Sequence, residues 1–242
     1  MDEARLSETI DECLLHDENG QVIERGCIVH DQLHGEWTQF DEQGRLCQRS
    51  QFVNGQLEGE SQTFDEQGRV SIQAYYRQGR LHGAMNVMNQ GIIQLSSHYV
   101  EGKPEGITKT FSDQGLVMSE IGYHAGAMQG GARWFDEAGR LVKQAHYQDN
   151  QLDGEVLEYD AHGRLTTRAH YQANQLHGVF QRMDQEGRVI EEREYRAGAM
   201  VKATSLANAQ DGSSQSLGGG ISKDLEKGQC SWWKCWLPVP NP

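Results

Sequence analysis

The stretch DEQGRLCQRSQFVNGQLEGESQTFDEQGRV, residues 41–70, contains Asp-Glu-Gln-Gly-Arg twice, with Gly44 and Gly68 placed 24 residues apart. Working outward in both directions, the same glycine recurs as Gly20, Gly44, Gly68, Gly91, Gly115, Gly139, Gly163 and Gly187, and every interval is 24 except one of 23. A period of this length marks a chain built from stacked supersecondary units. Three further columns keep the same spacing. One is glycine (Gly35, Gly59, Gly83, Gly106, Gly130, Gly154, Gly178). One is aromatic (Phe52, Tyr76, Tyr99, Tyr123, Tyr147, Tyr171, Tyr195). One is largely aromatic (Phe40, Phe64, Met88, Phe111, Phe135, Tyr159, Met183).

Each column carries a conformational demand. Five residues separate Phe40 from Leu46, with glycine fourth, which suits a hairpin loop made of a type I turn closed by a left-handed residue. Positive φ is therefore expected at Gly44, Gly68, Gly139, Gly163 and Gly187. A second loop shows Gly55, Gly79, Gly102, Gly126, Asn150, Asn174 and Gly198 at one position. Gly and Asn are the residues that most readily enter the left-handed region, so this is a second turn. The intervening stretches of about six residues, such as EWTQF and LCQRSQF, are too short for helices and rich in aromatic and β-branched types. Each repeat reads as one β-hairpin and consecutive repeats as a meander.

The pattern Gly-x4-[Phe/Tyr]-Asp-x2-Gly-Arg-[Leu/Val]-x5-[Tyr/Phe], followed by GQLEG, resembles the MORN-repeat variant of bacterial proteins often grouped as antitoxin or immunity proteins. The resemblance spans roughly residues 14–202. It departs at Gly91–Ile93, which lacks the arginine, and at Gly126–Gly131, where the glycines are shifted. It implies an all-β fold, an elongated and twisted antiparallel sheet, and a non-catalytic binding role. The organisation expected is an acidic N-terminal segment with a capping hairpin (1–30), seven hairpin repeats (31–202), a Gly/Ser/Ala-rich linker (203–222) and a Trp/Cys/Pro-rich tail (223–242).

Strict alternation from Phe40 and Leu46 puts Phe40, Leu46, Ser50 and Phe52 on one apolar face. The opposite face then carries two columns that vary from copy to copy. These are Trp37, Ser61, Met85, Thr108, Ala132, Val156, Phe180 and Gln51, Tyr75, His98, Gly122, His146, His170, Glu194. Variation on a fixed frame suits a recognition surface, as it also suits a solvated face left to drift. By this parity Trp37, Tyr75, Trp134 and Phe180 are candidate partner-binding residues. The tail, CSWWKCWLPVPNP, adds Trp232, Trp233 and Trp236, which serve either as a cap on the repeat array or as a partner anchor.

Catalytic chemistry has no foothold in the sequence: there is no Gly-x-Ser-x-Gly, phosphate-binding glycine loop, His-Glu-x-x-His or Cys-x-x-Cys. Equivalent histidines fall two strands, roughly 10 Å, apart, too far to share one zinc. The aspartates of the Asp41 column open turns, where their side chains cap local amides. No metal or cofactor is expected.

With 35 acidic against 22 basic residues the formal charge is -13, which disfavours nucleic acid and anionic membranes and suits a protein partner with a basic surface. A mean hydropathy of -0.72, the acid-rich N-terminus and five cysteines without a short secreted framework give a cytoplasmic expectation. The reading is a protein-binding repeat chain acting as an immunity protein that occludes a secreted or contact-delivered toxin. The alternative is an adaptor or scaffold in a protein or membrane-proximal assembly.

Overall fold

A computed structural model describes residues 11–205, and within them every regular element is a β-strand. The strands form one open antiparallel sheet in which each pairs with its neighbours along the chain, from Asp11–His16 paired to Val22–Val29 through to Val189–Arg196 paired to Ala199–Ser205. Four of the 21 strands are two-residue segments (Gln32–Leu33, Lys103–Pro104, Gln151–Leu152, Gln175–Leu176), each continued after one residue by the next strand. Merging each with its successor leaves 17 rungs, one more than a count of two per repeat plus an N-terminal hairpin. The last rung runs to Ser205, so residues 203–205 of the expected linker belong to a strand. The tail residues Trp232, Trp233 and Trp236 lie outside the described residues.

The tight loops have the expected construction. Gly44 sits at φ 74°, its N–H donates to the Asp41 carbonyl at 2.9 Å, and the Asp41 N–H donates to the Arg45 carbonyl at 2.9 Å. Gly68, Gly139, Gly163 and Gly187 have φ of 76°, 75°, 76° and 77°. The single 23-residue interval has a structural cause. Around Gly91 the pairs Met88–Ile93 and Asn89–Ile92 close a two-residue loop, with Gln90 at φ 51° and Gly91 at φ 82°. That is a type I′ hairpin, one residue shorter than the loops beside it.

The second loops are also type I′ hairpins, with both central residues left-handed, as at Asn54 (φ 50°) and Gly55 (φ 75°). Their second residue ties one repeat to the one before. The Gly55 N–H donates to Leu33 O at 2.9 Å, and the bond recurs from Gly79 to Leu57, Asn174 to Leu152 and Gly198 to Leu176. Nearest-neighbour coupling of this kind is what holds a repeat array together.

Two irregularities per repeat decide which side chains share a face. After each tight loop the register slips: Phe40 faces Leu46, but Gln39 faces Gln48, leaving Cys47 as an extra residue. The same bulge leaves Ser71, Gln94, Met118, Val142, Thr166 and Ile190 over in the later copies. A second irregularity precedes each outgoing strand at the Gly35 column, where φ is positive, reaching 112° at Gly83 and 119° at Gly154. A Cβ there would lie 3.1 Å from Tyr75 Cβ at Gly83 and 3.2 Å from His146 Cβ at Gly154. At these two positions glycine is required by both φ and space, and at Gly35, Gly106 and Gly130, where nothing lies within 4 Å of the added carbon, by φ alone.

Candidate recognition surface

Directly opposed residues in an antiparallel pair share a face. Trp37 faces Ser50 and Ser50 faces Ser61, and the row continues through Ala74, Met85, Ser97, Thr108, Ile121, Ala132, Ala145, Val156, Ala169, Phe180 and Arg193. This row contains the most buried side chains in the sheet, with Ser50 at 0% and Ala132 at 1% exposure. Its hydroxyls satisfy one another, Ser50 with Ser61 at 2.8 Å and Ser97 with Thr108 at 2.7 Å. Beside it the aromatic column meets an aliphatic one, as in Phe52–Leu57, Tyr76–Leu81, Tyr147–Leu152 and Tyr171–Leu176. Burial holds the phenols of Tyr76, Tyr123, Tyr147 and Tyr171 above the ordinary tyrosine range.

This geometry corrects three of the four face assignments made from strict alternation. Trp37 lies on the small-residue face, not on the opposite one. A Cβ on Gly26 would meet Trp37 Cδ1 at 3.2 Å, and the indole stands edge-on to Phe52 at 6.1 Å between centroids. Phe180 pairs with Arg193 and packs edge-on to Tyr195 at 6.4 Å. Trp134 faces Ser119 and Lys143, whose Nζ sits 5.7 Å from the ring centroid. The cause is the bulge. By inserting one residue between Leu46 and Gln48 it reverses the parity linking the Phe40 column to the Ser50 column.

The opposite face carries polar rows beside the half-buried Phe40 and Leu46 columns, which the bulge turns away from the Ser50 face that strict alternation gave them, so that Phe40 and Leu46 line one depression with Thr38 and Arg49. Tyr75 stands on this face at 38% exposure, opposite Glu60, to whose Oε1 its hydroxyl donates at 3.3 Å. In the same row are the exposed His98, His146, His170 and Glu194, which face Ala84, Gly131, Glu155 and Val179. The neighbouring row is a ladder of charges and amides. Glu120 bridges Lys109 at 3.0 Å and Arg133 at 2.6 Å, and these contacts, led by the Lys109 hydrogen bond, hold its carboxyl below the usual range. Arg25 reaches Glu12 at 3.0 Å and Arg168 reaches Glu155 at 3.1 Å. The guanidinium groups of this face are thus matched by carboxylates, and shallow depressions lie along it, one lined by Glu155, Arg168, His170, His177 and Val179.

At the tight-loop edge each Asp clasps its own turn. Asp41 Oδ1 accepts the N–H groups of Gln43 and Arg45, both at 2.9 Å, while Arg45 Nε donates to Oδ2 at 2.7 Å. The clasp recurs at Asp65–Arg69, Asp136–Arg140, Asp160–Arg164 and Asp184–Arg188. Asp41, Asp65 and Asp136 are held below the normal aspartate range chiefly by the backbone N–H of the arginine four residues on. Asp160, with the Arg164 side chain as its strongest donor, is lowered to about 2. Arg45 Nη1 also reaches Glu66 O in the next loop at 3.2 Å, and Arg164 Nη1 reaches Gln185 O at 3.4 Å.

Among the described residues no three His, Cys, Asp or Glu side chains are grouped closely enough to hold a metal ion. Two histidines have local partners: His124 Nδ1 lies 2.9 Å from Glu105 Oε1 and His146 Nδ1 lies 2.9 Å from Asp153 O. The polar face and the loop edge therefore offer hydrogen-bonding and charged contacts over a long row of rungs.

A family model described as the MORN repeat variant matches residues 33–54. No curated protein matches the chain. Among solved structures, a point mutant of S. aureus TarM in complex with fondaparinux, alpha-GlcNAc-glycerol and UDP is similar at 12% identity over 45% of this chain and 19% of that one, with a TM-score of 0.22. A score that low supports no argument from that structure.

Proposed function

We propose that this chain, whose MORN-repeat character is supported by the family match, is a non-enzymatic protein-binding module. The observation that carries the proposal is the division of labour between the faces. One face is closed by packed small and aromatic side chains, even along the Trp37, Ser61, Met85, Thr108, Ala132, Val156 and Phe180 column where the residue type changes, while the other holds a row in which Gln51, Tyr75, His98, Gly122, His146, His170 and Glu194 succeed one another on the same frame. Loop and strand positions that vary on a rigid scaffold are where binding residues concentrate. The finer reading is an immunity protein that covers the active surface of a toxin. A net charge of -13 favours a basic toxin and gives association that is fast at low salt and screened at high salt.

The test is co-expression with the product of the neighbouring gene, followed by co-purification and a growth-protection assay. Protection that tracks complex formation and is weakened by Tyr75→Ala supports the immunity reading. A stable complex without protection favours an adaptor role, and failure to bind any protein removes both.

A further inference from the structure

The clasped loop edge is interrupted in the middle of the array. The residue after the loop glycine is Gln21 in the first copy and arginine in five others (Arg45, Arg69, Arg140, Arg164, Arg188), but it is Ile92 and Leu116 in two consecutive ones. Ile92 is 38% exposed, Ile93 beside it 38% and Leu116 39%. Where Arg45 crosses to the next loop to reach Glu66 O, Ile92 takes the equivalent place against the loop of Gly115, at which a Cβ would lie 3.8 Å from Ile92 Cγ2. The clasping aspartate is absent from both copies as well: Asn89 begins one loop and Ser112 the other. Charged clasps at Asp65–Arg69 and Asp136–Arg140 flank the gap, and Glu66, Asp113 and Glu137 are exposed around it.

An apolar centre inside a charged rim is the arrangement of a binding hot spot. We infer that Ile92, Ile93 and Leu116 form the anchor point for a protein partner that presents a bulky apolar side chain flanked by lysine or arginine. The acidic rim selects the basic flanks, and the apolar centre supplies contact area that the arginines of the other copies would obstruct. This deepens the protein-binding reading and rests on it. At Leu116 the loop keeps the architecture that carries arginine elsewhere in the array, with the Ser112 N–H donating to Leu116 O as Asp41 N–H does to Arg45 O, whereas Ile92 closes the shorter type I′ loop.

The test pans a phage-displayed random dodecapeptide library against the immobilised full-length chain and measures the enriched peptides on variants. Ile92→Arg with Leu116→Arg installs the residue used by the other copies, and Ser112→Asp with Leu116→Arg restores a complete clasp, so one of the two keeps a folded comparison available. The expected result is enrichment of peptides with an apolar residue between basic ones, whose affinity falls about tenfold or more on both variants. Melting temperature should stay at or above that of the wild type. Enriched peptides that bind the variants as tightly as the wild type would overturn the anchor while leaving the protein-binding reading intact. No enrichment at all would contradict both.

Discussion

Gly122 and Gly131 occupy adjacent rungs of the polar face and demand opposite outcomes on substitution. At Gly122 a Cβ would stand 2.4 Å from the Gln129 carbonyl oxygen and 3.4 Å from Gly131 O, a contact that only backbone movement relieves. Overpacking against main chain costs about 1–3 kcal/mol, and the entropy recovered when glycine becomes alanine returns about 0.4–1 of it. Gly122→Ala should therefore lose about 1–2 kcal/mol, which at about 2–4 °C per kcal/mol lowers the melting temperature by about 2–8 °C. At Gly131 φ is not positive and nothing lies within 4 Å of the added carbon. Gly131→Ala should be neutral or raise the melting temperature by about 1–4 °C. Scanning calorimetry of the two variants beside the wild type decides it. A Gly122→Ala protein as stable as the wild type, or equal destabilisation by both, would refute the close-approach argument.

The turn carboxylates make stability depend on acid. Asp160 and its equivalents have folded pKa values below the unfolded value of about 3.9, so their contribution is fully present above pH 4 and is lost as pH falls through the folded values, near 2 for Asp160. Melting temperature should hold from neutral pH to about 5 and drop between about 4 and 2, and Asp160→Asn should remove part of that drop. Gly139→Val should melt lower than Gly139→Asn, because φ 75° admits asparagine far better than a β-branched residue; equal melting temperatures would count against the strain. Trp37→Ala should cost about 2 kcal/mol or more in chemical denaturation by unpacking Gly26 and Phe52, whereas Tyr75→Ala should leave stability within about 0.5 kcal/mol.

The 24-residue period, both hairpin loops and the positive φ of Gly44 and its equivalents were legible in the sequence because each requires a particular residue type at a fixed position. The bulge after the tight loop was not. Its extra residue is Cys47, Ser71, Gln94, Met118, Val142, Thr166 or Ile190, a set with no shared chemistry, because what defines the bulge is a hydrogen-bond register and not a side chain. Missing one residue of register exchanges faces, which is why Trp37, Trp134 and Phe180 were expected outside and are packed inside. Tyr75 kept its place because it lies on the same strand as Ala74, where alternation between neighbours holds without crossing a bulge. The second bulge was foreshadowed by the Gly35 column, whose invariance within the chain signalled a backbone demand without saying which.

The face assignment governs every statement about what a partner can touch, and Gly131 and Ala132 are neighbours that test it in one experiment. Single cysteines at these positions, read by mass spectrometry after timed alkylation of the native protein, report exposure on the two faces separately. Gly131→Cys should react at nearly the rate of an unfolded peptide. Ala132→Cys, at a site 1% exposed, should react about a hundredfold or more slowly, since it waits on local opening of the sheet. Rapid labelling at 132 with protection at 131 would restore the uninterrupted alternation of faces and contradict the account.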